Sequence, residues 1–255
     1  MLTYFKKISL FLSFVVIMIL VAGSVMSQVV KETVDELEMV DVVEHLGDYV
    51  PLDLTFIDDN GQVVQLGDYF NRGKPVLLTL GYYECPMLCN LILNGLTKTV
   101  KQMNWKPGLD YQIVTVTINP NEDYKLAAAK KQTYMTALDE PSAQDGWSFL
   151  VGEESQASRL ADVVGFKYRY DEKIQQYAHP AVLFLISEDG KITRYLYGIE
   201  FKANDMKLAL MEASEGKIGN TIDKLILYCY HYDPDSKGYV VFASNVMRLG
   251  LPVSR

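Results

Sequence analysis

Short uninterrupted apolar runs alternate along the chain with longer stretches in which apolar residues recur at helical spacing. Pro75–Leu80 is a run of the first kind, which is typical of a strand buried on both faces of a sheet, and Tyr111–Ile118 is predicted as a second buried strand. The apolar positions after the first run fall on one side of a helix: Leu88, Ile92, Leu96 and Met103. The pattern therefore predicts a buried strand that leads into an amphipathic helix.

The rest of the pattern adds two hairpins and further helices. Turn residues at Asp58–Gly61 and at Glu188–Gly190 each separate two short apolar runs. The predicted elements are strands at 52–57, 63–66, 181–187 and 191–197, a core segment at 147–151, helices at about 122–138 and 155–164, and a final helix. Strands interleaved with helices in this way predict an α/β fold, a mixed sheet flanked by helices on both faces.

The N-terminus has the layout of an export signal. Lys6 and Lys7 precede Ile8–Met26, an uncharged and mostly apolar run that ends in small residues. The sequence predicts a cleaved signal peptide or an uncleaved membrane anchor at 1–27, because 19 residues rising about 1.5 Å each also suffice to cross a bilayer. We expect an exported protein, periplasmic or on the extracytoplasmic face of the inner membrane, with an amphipathic segment at 28–47.

Composition narrows the class of protein. The chain has 255 residues with Lys+Arg 24 and Asp+Glu 32, so its formal net charge is −8, which argues against a nucleic-acid binder. Hydrophobic residues at 49% and charged residues at 22% are ordinary for a folded globular chain. Three cysteines are too few for a disulfide scaffold, so each can be considered singly.

The candidate chemistry lies where the first buried strand meets the first long helix. Pro86 suits the first position of a helix, which predicts Cys85 as the N-cap and a Cys85 thiolate stabilised by the helix dipole. Cys89 lies four residues on, so both sulfurs can project from one face of the first turn. Such a pair can form a reversible disulfide or hold a soft metal such as Cu(I). A structural disulfide or two small buried side chains are the alternatives.

A firmly held metal needs a third ligand, and the chain has three histidines. His179 precedes Pro180 and the strand predicted at 181–187, and in thioredoxin-like folds the loop before the corresponding strand passes beside the cysteine pair. We therefore predict His179 as the third ligand, although a lone histidine is more often a surface or structural residue. His45 is expected to be exposed.

These motifs, in this order, resemble the Sco/SenC family. The resemblance rests on the segment Tyr82–Cys89, on the strand Ile113–Ile118 with Asn119–Asp123 after it, and on His179 ahead of a strand and the turn Asp189–Gly190. It covers about residues 48–215 and implies a thioredoxin-like domain in which Cys85, Cys89 and His179 bind copper as Cu(I) or Cu(II). It also implies a role in assembling the CuA centre of cytochrome c oxidase, with oxidase subunit II or another copper-receiving protein, and a thioredoxin-like reductant, as partners.

Two positions depart from the family pattern. Met87 stands between the cysteines where many members have an acidic residue, and Asn119 stands at a strand end that is commonly Asp. Loss of a carboxylate predicts weaker binding of the harder Cu(II) and a preference for Cu(I). Met87 offers a thioether but is expected to pack rather than to ligate.

Residues 216–255 form a C-terminal extension beyond the family domain. A helix is predicted over 217–228, followed by an aromatic segment that contains Cys229 and His231. These two residues could chelate a metal if the segment is extended, but two ligands without a third make a poor site. An aromatic tail docked on the core, with Cys229 idle, is the favoured interpretation.

Two functions remain after these observations. The first is a copper-binding assembly factor, a metallochaperone without substrate turnover, that passes copper from Cys85, Cys89 and His179 to a partner. The second is a thiol-disulfide reductase, in which Cys85 attacks a partner disulfide and Cys89 resolves the mixed disulfide. A peroxidase is disfavoured, because Tyr82 stands three residues before Cys85 where a Thr or Ser hydroxyl would be needed.

Overall fold

One mixed β-sheet organises the fold. The computed structural model describes residues 40–219 and, for the backbone alone, two further strands at 230–233 and 238–241. The strands are β1 (Thr55–Ile57), β2 (Val63–Gln65), β3 (Val76–Gly81), β4 (Gln112–Thr117), β5 (Trp147–Leu150), β6 (Arg169–Asp171), β7 (Gln176–Ala178), β8 (Val182–Ile186), β9 (Ile192–Tyr197), β10 (Tyr230–Asp233) and β11 (Gly238–Val241). The helices are α1 (Leu88–Gln102), α2 (Tyr124–Leu138), α3 (Ala143–Gly146), α4 (Glu154–Val163) and α5 (Ala203–Ser214), with a short 3₁₀ helix at Leu66–Tyr69.

The central sheet has the strand order β5-β4-β3-β8-β9. β3, β4 and β5 run parallel, whereas β8 pairs antiparallel with β3 and with β9. In the β3–β4 ladder Val76 lies opposite Gln112 and Gly81 opposite Thr117, so both strands end at the same edge of the sheet. Every residue of β3, β4 and β8 is buried, which is why β3 and β8 read as nearly continuous apolar runs.

Alternate residues of the central strands enter two separate cores, one on each face of the sheet. Leu78 belongs to the core that includes Leu160 of α4 together with Val42 and Val50, which precede β1. Its neighbour Leu77 belongs to the core that includes Leu96 of α1 and residues of α2 and α5. The predicted α/β fold, a thioredoxin-like mixed sheet flanked by helices, is confirmed.

Local signals explain both the accurate and the missed boundaries. The helix predicted to begin near residue 122 begins at Tyr124, because the Asp123 side chain caps it by accepting the N–H of Leu126 at 2.9 Å. The β6–β7 hairpin is absent from the sequence prediction. Its strands are three residues long and only partly buried, so they leave no apolar run in the sequence. This hairpin leads directly to His179.

Some predictions fall outside the described residues. These are the segment 1–27, the first part (28–39) of the amphipathic segment, residues 220–228 of the predicted C-terminal helix, and Cys229. Within the described part of the chain, no helix is long and apolar enough to cross a membrane.

The helix predicted over 217–228 is wrong at its start, because 217–219 are not helical and the N–H of Gly219 donates to the Thr193 carbonyl at 3.0 Å. β10 pairs antiparallel with β11, so the backbone at His231 is extended.

Candidate metal centre

The two cysteines lie where β3 gives way to α1, but not as the sequence predicts. Helix α1 begins at Leu88 with Met87 as its N-cap, so the prediction of Cys85 as N-cap and Pro86 as first helical residue is wrong. The reason is a turn before the helix, in which the N–H of Cys85 donates to the Tyr82 carbonyl at 3.3 Å. Cys89 is therefore the second helical residue, and Cys85 precedes the helix.

The Cys85 sulfur nevertheless lies at the positive end of the helix. Its Sγ atom accepts the N–H of Cys89 at 3.3 Å, one of the first-turn donors that have no partner within a helix. The predicted interaction of the Cys85 thiol with the helix N-terminus thus arises by a side-chain contact rather than by capping geometry. Both cysteines are free thiols, and both are buried.

His179 completes a compact group of three donor atoms. Its Nε2 atom lies 2.9 Å from Cys89 Sγ, and the two sulfurs and an imidazole nitrogen all lie within 4.8 Å of one another. Nδ1 donates to the Pro180 carbonyl at 3.0 Å, which holds the ring with Nε2 facing the sulfur. Among the described residues this is the one cluster of three cysteine, histidine or acidic groups with metal-binding spacing.

The other predicted residues lie elsewhere or contribute only through their backbone. His45 is half-buried rather than exposed. Its ring Nδ1 lies 2.8 Å from the Val163 carbonyl, and its backbone N–H donates to the Tyr195 hydroxyl. The Asn119 side chain accepts the N–H of Asn121 at 3.1 Å and stabilises that turn. Met87 is half-buried, and its backbone N–H donates to the Cys85 sulfur.

The two thiols are electrostatically unequal. The pKa of Cys85 lies well below its ordinary value, because hydrogen bonds from the Cys89 thiol, from His179 and from peptide N–H groups outweigh the opposing effect of burial. The pKa of Cys89 is raised well above its ordinary value by burial and by the adjacent Cys85 sulfur. The reduced pair therefore consists of a Cys85 thiolate beside a Cys89 thiol.

An aromatic shell encloses the three donors. Tyr82 packs its ring edge-on against His179 with centroids 6.0 Å apart, and its hydroxyl is hydrogen bonded to the Cys85 sulfur. Burial raises the pKa of Tyr82, so its hydroxyl stays protonated and donates to the thiolate. Phe166 lies 5.8 Å from the imidazole on another side. These rings reduce the local dielectric and so strengthen the interaction of the thiolate with a cation.

Sequence reasoning missed Glu122. Its carboxylate is 7% exposed and accepts the N–H of Tyr83 and of Glu84, both at 2.8 Å, as well as the hydroxyl of Thr117 at 2.5 Å. Only its position in the chain could have pointed to it, because an acidic residue shortly after β4 lies at the same edge of the sheet as the loop after β3. Nothing in the local pattern around Glu122 distinguishes it from a surface residue.

The donor set suits a soft cation. Two sulfurs and one imidazole nitrogen converge on a buried space in which the Cys89 thiol supplies one proton. Thiolate and imidazole are ligands that Cu(I) prefers, and three of them leave the set short of the four that structural zinc takes.

This fold and site define a class of protein, namely a thioredoxin-like domain with a buried dithiol and a histidine that faces it. The family model of SCO1/SenC matches residues 46–213, which is more than half of the chain. The chain therefore belongs to the SCO1/SenC family. This agrees with the resemblance found in the sequence motifs.

Individual relatives are more distant. The mitochondrial protein SCO2 homolog of Bos taurus is 29% identical over 151 residues, covering 56% of this chain and 52% of that protein, so the chain spans about half the length of this relative. A solved structure of an Aquifex aeolicus protein with a proposed electron-transfer role is 26% identical, with a TM-score of 0.59 over 68% of this chain and 95% of that one. The structure of BsSco, a member of the Sco family of cytochrome c oxidase assembly proteins, shares the fold at a TM-score of 0.53 and 21% identity, over 68% of this chain and 98% of that one.

Proposed function

We propose that this protein is a copper chaperone that binds Cu(I) through Cys85, Cys89 and His179 and delivers it to a partner during assembly of cytochrome c oxidase. The observation that carries the proposal is the 2.9 Å separation of Cys89 Sγ and His179 Nε2. A dithiol that only exchanges disulfides needs no imidazole at its second sulfur, whereas a Cu(I) site gains a third ligand from it.

The unequal thiols suit reversible loading of the cargo. Cys85 is already a thiolate and offers its electron pair to Cu(I) without losing a proton. Cys89 gives up its proton when the metal binds, so uptake of one Cu(I) releases one proton. In delivery, thiolates of the partner replace Cys85, Cys89 and His179 one at a time, which needs no net redox step.

The partner and the compartment are part of the same proposal. The receiving protein is oxidase subunit II, whose CuA centre accepts copper through its own cysteines. The domain acts on the extracytoplasmic face of the inner membrane, exported by the segment at 1–27 and held there if that segment stays uncleaved. Membership in the SCO1/SenC family and the fold shared with an oxidase assembly protein support this assignment.

Copper retention by the reduced full-length chain tests the proposal. One equivalent of Cu(I) is added, and a Cu(I) chelator then competes for it. We expect one tightly bound copper per chain, and we expect His179→Ala to lower Cu(I) affinity by about 100-fold. His45→Ala is the matched control, since His45 contacts Val163 rather than sulfur and should leave the affinity unchanged. A parent chain that retains no copper, or a His179→Ala variant that binds as tightly, would contradict the proposal.

Thiol-disulfide reduction is the second candidate function. The observation in its favour is the pairing of a low-pKa Cys85 with a protonated Cys89, the arrangement of an attacking and a resolving thiol. Reduction of a model disulfide by His179→Ala separates the two functions. If the imidazole serves only to bind copper, the His179→Ala variant should reduce the disulfide at a rate within about twofold of the parent rate.

A further inference from the structure

We propose that Glu122 is a positioning residue that sets the geometry of the Cys85–Cys89 pair through the peptide backbone. It touches neither sulfur, but it binds the two N–H groups that immediately precede Cys85. The proposal rests on the proposed function only as far as Cu(I) binding is concerned. Its consequence for the dithiol holds whether or not the protein carries copper.

Both carboxylate oxygens of Glu122 are engaged. Oε2 accepts the N–H of Tyr83 at 2.8 Å and the hydroxyl of Thr117 at 2.5 Å, and Oε1 accepts the N–H of Glu84 at 2.8 Å. Thr117 is the last residue of β4, so the carboxylate is oriented by the sheet on one side and holds the loop on the other. Two consecutive peptide groups are thereby fixed in direction.

These peptide groups depend on Glu122 for their orientation. β3 ends at Gly81, so the N–H groups of Tyr83 and Glu84 lie beyond its ladder with β4. A buried peptide N–H without an acceptor is costly. Without the Glu122 carboxylate, the loop would therefore have to change its course so that these N–H groups find other acceptors. The Glu84 side chain is exposed and provides no anchor of its own, which leaves its peptide N–H as the group held in place. Cys85 is the next residue.

The Tyr83 side chain fixes the opposite side of the same turn. Its hydroxyl donates to the Leu150 carbonyl at 2.8 Å in β5, two strands away from β3. The loop is therefore clamped between the β4 edge and β5 before it reaches Cys85. With its position fixed, Cys85 meets Cys89 and His179 without further ordering, which raises the effective concentration of one sulfur at the other.

Two equilibria report this preorganisation. Formation of the Cys85–Cys89 disulfide and binding of Cu(I) both require the sulfurs to be close together, so a looser loop weakens both. The Glu122→Gln variant keeps the side-chain length but replaces one oxygen by an NH₂ group, which cannot accept from a peptide N–H. We expect about a tenfold fall in the equilibrium constant for disulfide formation in glutathione buffers and a similar fall in Cu(I) affinity.

Asp59 provides a matched control. It is a buried carboxylate, 8% exposed, that accepts a peptide N–H from Phe149 at 3.0 Å and pairs with Lys131 at 2.9 Å. Asp59→Asn in the full-length chain should lower the free energy of unfolding yet leave both equilibria within about twofold of the parent. A purely structural role of Glu122 predicts the same behaviour for Glu122→Gln, so that result would overturn the proposal.

A second variant covers the case in which Glu122→Gln does not fold. Thr117→Val removes one donor to the carboxylate and leaves both peptide contacts, so a shift of about threefold in the same direction is expected. An unchanged disulfide equilibrium in this variant would count against the positioning role. If the parent chain binds no Cu(I), the proposed function fails, while the glutathione equilibrium still decides the role of Glu122.

Discussion

Cys89 Sγ lies 2.9 Å from His179 Nε2, although 90 residues of chain separate the two. The contact arises because β8 pairs antiparallel with β3, which brings the segment before β8 to the edge at which β3 ends. His179, which precedes β8, thus contacts the cysteines from one side of β3. Glu122, which follows β4, contacts the loop before Cys85 from the other side. The site is assembled from both strands that flank β3.

The ionisation of Cys85 is the first prediction. Because hydrogen bonds hold its pKa well below that of an ordinary cysteine, the thiolate should persist as the pH falls below neutrality. A free cysteine with a pKa of about 8.5 is protonated under the same conditions. Titration of the ultraviolet thiolate absorbance of the reduced protein, with Cys85→Ser subtracted, measures this. Loss of the signal between about pH 8 and 9 would show an unperturbed thiol.

The hydroxyl of Tyr82 is expected to contribute to that shift. Tyr82→Phe removes a donor to the Cys85 sulfur while keeping the ring that packs on His179, so the pKa of Cys85 should rise. Tyr177→Phe is the control, because its ring packs on Tyr82 with centroids 5.5 Å apart. The same ultraviolet titration checks both variants. Equal shifts in the two would mean that packing, rather than the hydrogen bond, sets the pKa.

Gly81 controls how closely Cys89 can approach the sheet. A Cβ atom at this position would lie 3.0 Å from Cys89 Sγ, so Gly81→Ala should displace the sulfur and lower Cu(I) affinity by about tenfold. Gly67→Ala introduces a contact of the same length, 3.0 Å, with the Leu52 carbonyl and not with a cysteine. Chelator competition on both variants tests the prediction, which fails if the Gly67 variant loses as much affinity.

The buried ion pair of Asp59 and Lys131 is expected to stabilise the fold without affecting the metal site. Asp59→Asn leaves the Lys131 ammonium buried and without its partner, so the free energy of unfolding should fall by about 3 kcal/mol. The exposed pair of Arg159 and Asp53, 3.1 Å apart, is the comparison, and Asp53→Asn should cost less than about 1 kcal/mol. Urea denaturation of both variants measures the difference. Similar losses would show that burial does not distinguish the two pairs.

Much of the architecture could be predicted from local pattern. A nearly continuous apolar run identifies β3, and the helical spacing that starts at Leu88 identifies α1. The weak β6–β7 hairpin could not be predicted, because its short strands are only partly buried and its stability comes from contacts such as that between the Tyr170 and Tyr177 rings. Pattern succeeds where burial is continuous and fails where an element depends on its neighbours.

The sequence by itself determined which residue types are available for a metal. Two cysteines four residues apart, and a histidine that directly precedes Pro180 and a predicted strand, select Cys85, Cys89 and His179 as candidates. Only the tertiary structure decided that α1 begins after the Cys85–Met87 turn, that Glu122 holds the loop, and that His179 faces Cys89 rather than solvent. The physical reason is that these contacts depend on the order β4-β3-β8 in the sheet, which is set by packing of the whole domain and by no local periodicity.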